Sequence, residues 1–241
     1  IKNYHKTYYV PNNMAICLSG DFDPDEMVSI IEKYFGQMQP NADLPELKFE
    51  TKSMIDSVVE KEVYGLDAEN IMIGWKYPGA GTRDAMIAEI ASSILYNGSA
   101  GLIDLNVNQK QTTLGAFGMP YTRPDAGEFI LMGNPKAGQT LEEVRDILIA
   151  ETEKLRNGDF DEALLTGTIN NLKLNMMNLL ENNSGRADLY VQSFINGTDW
   201  KDEVAYIDNM SKVTKADVVE WAGKYLGNNN CAIVYKRQGE D

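Results

Sequence analysis

Apolar residues recur at helical spacing between positions 23 and 36, and the residues on either side define the ends of a helix. Four apolar side chains fall at i, i+3, i+4 and i+7 and so share one face: Met27, Ile30, Ile31 and Tyr34. Asp23 suits the N-cap, Pro24 the first helical position and Gly36 the residue after the last turn. The pattern predicts a helix over residues 24–35 whose apolar face packs against another part of the protein.

A short apolar run at residues 14–18 precedes this helix and has the pattern of a strand. Turn-forming residues bound it on both sides, at 11–13 and at 19–21. A continuous apolar run of this length between two turns is typical of a strand that is buried on both faces. We therefore predict a buried β-strand over residues 14–18.

Alternating and helical patterns divide the rest of the chain. Residues 60–64 and 70–77 predict a pair of strands, and residues 114–122 and 128–134 predict a hairpin across the turn at 123–127. Further helices are predicted at 83–96, 102–107, 140–156, 161–182, 185–195, 202–210 and 214–225. One last strand is predicted at 231–236.

The two ends of the chain share a short pattern. An aromatic residue, an Asn-Asn turn and an apolar strand occur at 9–18 and again at 225–234. The pattern is too short for a repeat architecture, but it predicts that the first and last strands lie in the same sheet. Helices and hairpins are segregated along the chain, which predicts an α+β fold with a mostly antiparallel sheet and helices packed on one face.

Composition narrows the classes of function. The 241 residues are 43% hydrophobic, enough for one large core. The formal net charge of −14 argues against a nucleic-acid binder, because no basic surface is present to neutralise phosphates. It fits a solvated acidic surface, and less readily a chamber that favours basic peptides. No run of about 18 apolar residues occurs, so no membrane span is predicted.

The first residues have neither a methionine nor the charged-then-apolar layout of a signal peptide, which indicates a piece of a longer chain. We expect a single domain over residues 1–241. Residues 1–10 would be an entry segment from a preceding part of the chain, and the polar, proline-containing residues 36–53 would form an internal linker. The sequence does not indicate the compartment.

The residues that usually carry catalysis are scarce. His5 is the only histidine, and a catalytic zinc site needs further ligands at fixed spacing. The absence of a second histidine also argues against a Ser-His-Asp or Cys-His enzyme. Cys17 and Cys231 lie in apolar, strand-like runs, so we predict two buried free thiols and leave their redox state open.

Two weaker patterns have simpler explanations. The acidic run that starts at Asp21, with Glu32 eleven positions later, resembles a calcium loop, but Glu26 stands where that loop needs glycine. The glycines at 79 and 81 precede a helix, yet the lysine of a phosphate-binding loop is missing. We therefore predict no catalytic, cofactor-binding or metal-binding residues in this chain.

The order of elements at the start of the chain resembles a known peptidase family. Residues 8–36 contain, in order, Tyr-Tyr-x-Pro-Asn-Asn-Met, an apolar run followed by Gly-Asp, then Asp-Pro-Asp-Glu and a helix that ends Lys-Tyr-Phe-Gly. This order resembles the non-catalytic second module of the pitrilysin-type zinc peptidases, the M16 family or inverzincins, in which only one module carries His-x-x-Glu-His. The resemblance implies a C-terminal M16 module with the LuxS/MPP-like metallohydrolase architecture.

In that family the segment that corresponds to residues 101–116 is a helix leading to an edge strand. The modules that help to bind substrate carry an Arg and a Tyr there. Here Asn106 or Gln109 stands where the Arg would fall, and Ala116 stands where the Tyr would fall. The resemblance therefore implies no site residues in this chain, and it favours the module that directly follows the catalytic domain.

The resemblance implies a non-catalytic module of a zinc-dependent metalloendopeptidase that encloses unfolded or short peptides in a chamber. Zinc would sit in the preceding catalytic module of the same chain, and Tyr8 and Tyr9 would mark the junction with it. Homo- or hetero-oligomers remain open. The alternative is a structural or assembly subunit related to M16 peptidases without proteolytic activity. A third interpretation, an α+β binding domain with an accidental likeness, predicts no large exposed apolar patch at the N-terminal end.

Overall fold

A mixed five-stranded β-sheet forms the centre of the structure, a computed structural model that describes residues 1–46 and 54–239. The strands are β1 (Val58–Gly65), β2 (Asn70–Pro78), β3 (Gly115–Thr122), β4 (Ala126–Asn134) and β5 (Cys231–Gln238). They lie in the order β1-β5-β2-β4-β3. β1 runs parallel to β5, and the other neighbouring strands are antiparallel. The predicted α+β fold with a mostly antiparallel sheet is confirmed.

Except for the first, which the sequence did not predict, the helices of the described residues fall close to the predicted positions. They are α1 (Lys2–Tyr8), α2 (Pro24–Phe35), α3 (Arg83–Leu95), α4 (Leu141–Asn157), α5 (Glu162–Glu181), α6 (Asn183–Asn196), α7 (Trp200–Met210) and α8 (Lys215–Tyr225). The segment predicted as a helix at 102–107 contains a π-helical turn, Asp104–Asn108. Short polar side chains cap the helix starts, as Asp23 does for α2 and Thr140 for α4.

The core lies between one face of the sheet and the helices α3, α4 and α8. Every second side chain of the central strands is buried there: Ile71, Ile73, Trp75, Tyr77, Phe129, Leu131, Ile233 and Tyr235. Trp221 of α8 packs at an angle on Tyr77 and on Phe129, with ring centroids 5.8 Å apart in each pair. Such aromatic pairs add about 0.5–1.5 kcal/mol each beyond the apolar area that they bury.

An ionic network fastens the edge strand β1 to the rest of the fold. Arg237 of β5 donates to Glu62 of β1 at 2.8 Å and to Glu142 of α4 at 2.6 Å. The hydrogen bonds from Arg237 hold the pKa of both carboxyl groups below their usual value. The three elements are thereby joined at the surface of the sheet.

The prediction that residues 60–64 and 70–77 pair with each other is wrong. β5 lies between β1 and β2 and forms hydrogen bonds with both. β5 has a run of alternating buried apolar side chains, whereas the residues of β1 are exposed and include charged side chains on the helix-facing side. Because the inner position is the more buried one, β5 occupies it and β1 is left at the edge.

The prediction of a buried strand at residues 14–18 is also wrong for the described chain. Met14 has an extended backbone, but residues 14–18 pair with no described strand and do not join the sheet that contains β5. Met14, Ile16 and Leu18 are 44%, 47% and 43% exposed. The places on both sides of each inner strand are already filled, so this sheet offers the segment no central position. The last part of the predicted linker, residues 47–53, lies outside the described residues.

Candidate functional site

The sheet face that points away from α3, α4 and α8 is open. Strand alternation and register place two rows of side chains across all five strands of this face. One row contains Phe117, Met132, Met72, Val234 and Lys61, and the other contains Met119, Ile130, Gly74, Ala232 and Val59. We call these ten positions the open sheet face.

The open sheet face is apolar but not buried. None of its ten residues falls in the buried class, and Met72, Met119 and Val59 are 37%, 43% and 40% exposed. Neighbouring strands lie about 4.8 Å apart, so five strands give the rows a width of roughly 19 Å. An extended peptide of about six residues matches that width at about 3.3 Å per residue.

The margin of this face is basic rather than acidic. Lys61 ends one row, and Lys76 and Lys236 lie on the same side of the sheet, where Glu128 is the acidic neighbour of Lys76. Lys236 lies 3.3 Å from the Asp67 carboxylate. The overall acidic excess therefore lies elsewhere on the surface, and this face gives no support to the idea that it favours basic peptides.

One of the two edges of the sheet, at β3, is poorly suited to accept another strand. Asn108 Nδ2 donates to the Ala116 carbonyl at 2.8 Å, and Asn108 Oδ1 accepts from the Ala116 N–H at 2.9 Å. Because backbone direction alternates along a strand, Gly118 and Pro120 are the next residues facing outward. Pro120 has no N–H to donate, as is common on edge strands. In the described chain, Gly118 alone between these positions offers an outward donor and acceptor.

A groove of about 770 Å³ lies beside the start of β3. Tyr96, Leu114, Phe117 and Lys136 are among the residues that line it. Leu114 is 75% exposed, and the Tyr96 and Phe117 rings lie 6.4 Å apart. Phe117 belongs to both the groove and the open sheet face, so the groove adjoins the face.

The three positions compared with the family's Arg-Tyr pair have structural contacts. Asn106 Nδ2 donates to the buried carboxylate of Glu151 on α4 at 2.9 Å. Gln109 Nε2 donates to the Ser99 carbonyl at 3.1 Å. Ala116 is buried and has no polar side chain. These positions therefore hold the π-helical segment in place, and the prediction that none is a site residue stays a prediction.

No group of three or more His, Cys, Asp or Glu side chains in residues 1–46 and 54–239 is arranged to hold a metal ion. His5 stacks on the Tyr9 ring with centroids 4.5 Å apart. Asp23 Oδ1 accepts from the backbone N–H groups of Asp25 and Glu26, as an N-cap does. The acidic run is thus engaged in capping α2 rather than arranged as a calcium loop.

The glycines before α3 serve a close backbone contact. A Cβ on Gly79 would lie 2.5 Å from the Pro124 carbonyl oxygen, and the Ala80 N–H donates to the Arg123 carbonyl at 2.9 Å. Thr82 then caps α3 by accepting from the Ala85 N–H at 3.1 Å. This loop is tied to the β3–β4 turn, where its Ala80 N–H is already engaged.

The two cysteines are free thiols, as predicted, but only one is buried. Burial, with a smaller effect of Glu60, raises the pKa of the Cys231 thiol to about 11, so this thiol is protonated at neutral pH. Cys17 is half-buried. The prediction that Cys17 is buried is wrong for the described chain.

Sequence reasoning missed the open sheet face. Its signal was present in the second set of alternating positions in β2, β4 and β5, which are apolar but were assigned only to strands. The register between strands, which joins these positions into two rows, is a property of the sheet and not of any single segment.

Comparison with known proteins places the chain in a family. A family model described as "Peptidase M16 inactive domain" matches residues 1–172. The zinc protease PqqE of Helicobacter pylori is 24% identical over 249 residues, which cover 98% of this chain and 54% of that protein. A crystal structure of a protease from Helicobacter pylori superposes with a TM-score of 0.91 at 20% identity, covering 98% of this chain and 58% of that chain.

A different assembly also contains this fold. A chain of Complex III2 from Candida albicans matches with a TM-score of 0.68 at 15% identity, covering 90% of this chain and 53% of that chain.

The fold defines an α+β module with helices on one face of the sheet and the other face open. The chain belongs to the family of M16 peptidase inactive domains. It spans about half the length of the relatives that it matches. No helix among the described residues is long and apolar enough to cross a membrane.

Family membership, together with the exposed apolar residues at the N-terminal end, contradicts the interpretation of an accidental likeness. Tyr4, Tyr9, Met14 and Ile16 are exposed there, as that interpretation did not expect. The M16 resemblance read from the sequence is confirmed.

Proposed function

We propose that this chain is the non-catalytic module of a zinc-dependent endopeptidase and that its open sheet face lines the chamber in which peptides are held. The zinc and the catalytic residues would belong to a preceding module of the same polypeptide, against which this module packs. Short or unfolded peptides would be the substrates.

The open sheet face is the observation that carries the proposal. A folded domain normally covers a sheet of this width on both faces or makes its solvent face polar. Here Met72, Met132 and Ile130 lie at the centre of an uncovered apolar strip. An apolar, sequence-tolerant surface fits unfolded peptides, whose apolar side chains it can shield from water.

The face, rather than the β3 edge, is the expected contact for peptide. The outward backbone groups of Ala116 are occupied by Asn108, and Pro120 lacks an N–H. Strand addition along β3 would therefore find few hydrogen-bond partners. Peptide binding by this module should depend on side-chain contacts across the strands.

A structural or assembly subunit is the second candidate function. The match to a chain of Complex III2 from Candida albicans favours it, because that chain is part of a larger complex. In this case the open sheet face would be covered by another subunit and would not meet peptides. The two functions differ in whether the polypeptide cleaves peptides.

The substitution Met72→Glu in the longer polypeptide tests the peptidase proposal. Met72 is exposed at the centre of the open sheet face, so a carboxylate there should leave folding intact while disfavouring apolar peptide segments. We expect KM for an apolar peptide substrate of about twenty residues to rise about tenfold, equivalent to about 1.4 kcal/mol of lost binding.

The matched control is Val204→Glu on α7, which places the same charge at a 65% exposed position away from the sheet. It should leave KM and kcat unchanged. Equal kinetics for the two variants would refute the role of the open sheet face, and the absence of any cleavage by the unmodified polypeptide would favour the assembly subunit.

A further inference from the structure

Residues 1–18 repeat the local structure of residues 218–235. In each segment a helix leads through a 3-10 turn into an extended run of apolar residues. Asn13 ends the first turn, and Asn230 ends the second. In the second segment the extended run is β5, an inner strand of the sheet, whereas in the first it pairs with no described strand.

The match extends to individual hydrogen bonds. Asn13 Nδ2 donates to the carbonyl of Tyr8 at 2.9 Å. Asn230 Nδ2 donates to the carbonyl of Tyr225 at 3.0 Å. The same side chain thus closes the same turn onto the last residue of the preceding helix in both segments.

The aromatic residues of the two helices match as well. Tyr4 and Tyr8 of α1 form a ring pair with centroids 4.7 Å apart. Trp221 and Tyr225 of α8 occupy the corresponding positions, with centroids 5.5 Å apart. In α8 this pair faces the sheet and is buried, which gives a reason for having two adjacent rings on that side of the helix.

Burial separates the two segments. The apolar side chains of the second segment lie in the core: Val218, Trp221, Tyr225, Cys231, Ile233 and Tyr235. Most of their counterparts in the first segment are exposed: Ile1, Tyr4, Met14, Ile16 and Leu18. Ile16 is 47% exposed, whereas its counterpart Ile233 is 5% exposed. The first segment therefore has the side chains of a core element without a core around them.

The Asn13 side chain also lacks the contacts that Asn230 makes with the strands beside it. Asn230 Nδ2 donates to the Lys76 carbonyl on β2 at 2.7 Å, and Asn230 Oδ1 accepts from the Ile55 N–H before β1 at 2.9 Å. Among the described residues, the Asn13 side chain has neither contact. A strand on each side of residues 14–18 would supply both.

We propose that residues 14–18 form an inner β-strand in the sheet of a preceding module with the same fold as residues 58–238. This strand would have one parallel and one antiparallel neighbour, as β5 has β1 and β2. α1 would cover that sheet as α8 covers this one. The inference rests on the proposed function in one respect, namely that a related module precedes this one in the same polypeptide.

A second copy of this chain does not fit the segment. β5 fills the inner position of the sheet, so a second copy offers only the outer edges of β1 and β3. Residues 14–18 correspond to β5, so they need a sheet in which the inner position that β5 occupies here is vacant. The relative from Helicobacter pylori is covered over 54% of its length, which leaves room in such a polypeptide for a module of similar size.

Hydrogen exchange measured by mass spectrometry tests the proposal on two proteins, residues 1–241 alone and the longer polypeptide with the preceding module. In the longer polypeptide the amides of residues 14–18 should exchange at least about a hundredfold more slowly than in residues 1–241 alone. The amides of residues 231–235 should be protected equally in both. Equally fast exchange of residues 14–18 in the two proteins would overturn the proposal.

A substitution in the longer polypeptide gives a second readout. Ile16→Asp should restore fast exchange at residues 14–18 and lower the melting temperature of the preceding module, because it places a charge at the position of Ile233. Val204→Asp, at an exposed position on α7, should change neither. Protection lost in both variants or in neither would contradict the strand assignment.

The proposed peptidase function and the strand assignment can each fail without the other. A longer polypeptide that protects residues 14–18 but cleaves no peptide keeps the strand assignment and removes the peptidase. One that cleaves peptides while residues 14–18 stay unprotected keeps the peptidase and removes the strand assignment.

Discussion

The Asn230→Ala variant is expected to unfold with a free energy about 3 kcal/mol lower than that of the wild type, because each unsatisfied buried polar group costs about 1–3 kcal/mol. Asn230 is fully buried and joins three parts of the fold through its side chain. It donates to the carbonyls of Lys76 and Tyr225, and it accepts from the N–H of Ile55. Alanine would leave all three backbone groups without these partners.

Urea unfolding followed by circular dichroism measures this loss. The matched control is Asn228→Ala in the same 3-10 turn, where the side chain is exposed and the expected change is within about 0.5 kcal/mol. If the unfolding free energy of Asn230→Ala also stays within about 0.5 kcal/mol of the wild type, the asparagine does not hold β5 in the sheet. Asn13 could then not be expected to hold residues 14–18 in a second sheet.

The Gly127→Ala variant is expected to lose about 3 kcal/mol of unfolding free energy, at the upper end of what overpacking costs. A Cβ at Gly127 would lie 2.1 Å from Cε2 of the Tyr77 ring. Tyr77 has no exposed surface, its ring packs on Trp221, and its hydroxyl lies 2.7 Å from Thr122 Oγ1. The ring cannot move away without disturbing these contacts, because protein interiors are densely packed.

The control for this prediction lies on the same sheet. Gly115→Ala adds a Cβ on β3 with no atom within 4 Å, and its backbone does not require glycine. We expect it to be neutral or slightly stabilising in the same urea experiment. Equal stability of the two variants would show that Tyr77 can repack, and would refute the assigned packing between Gly127 and the aromatic cluster.

Local patterns in the sequence were sufficient for α2 to α8 and for the strands of the final sheet, but not for α1. Capping residues such as Asp23, Thr140 and Thr214 stand at the starts of α2, α4 and α8, where side-chain hydrogen bonds mark the helix ends. The alternating positions of β2 likewise indicate a strand without reference to its neighbours. Helix and strand positions could therefore be read one segment at a time.

The order of strands could not be read in this way. β1 and β2 are consecutive, and the chain between them is short enough for a hairpin, yet β5 lies between them. Which strand takes the inner place depends on the burial available in the whole sheet. That information is divided between Val58–Gly65 and Cys231–Gln238, at opposite ends of the chain.

The segment at residues 14–18 shows why a correct local pattern can give a wrong structure. Its apolar residues and flanking turns have the pattern of an inner strand, and residues 228–235 show that such a pattern does form one. A strand needs neighbours, however, and the described chain has none to offer it. The shared pattern at the two chain ends thus indicates equivalent positions in two sheets rather than two positions in one sheet.

The candidate site was likewise predictable only in part. The positions of Asn106, Gln109 and Ala116 could be singled out by motif, and the structure gives each a structural contact. The open sheet face required the cross-strand register, which no single motif contains. The sequence therefore indicated the family more directly than the surface on which its proposed function depends.

Zinc content, measured on residues 1–241 alone and on the longer polypeptide with the preceding module, tests the central claim most directly. We predict that residues 1–241 retain no zinc above the buffer background and that the longer polypeptide retains a stoichiometric amount, together with peptide cleavage that a chelator abolishes. Stoichiometric zinc in residues 1–241, or no zinc in the longer polypeptide, would contradict the account of this chain as the non-catalytic module of a zinc peptidase.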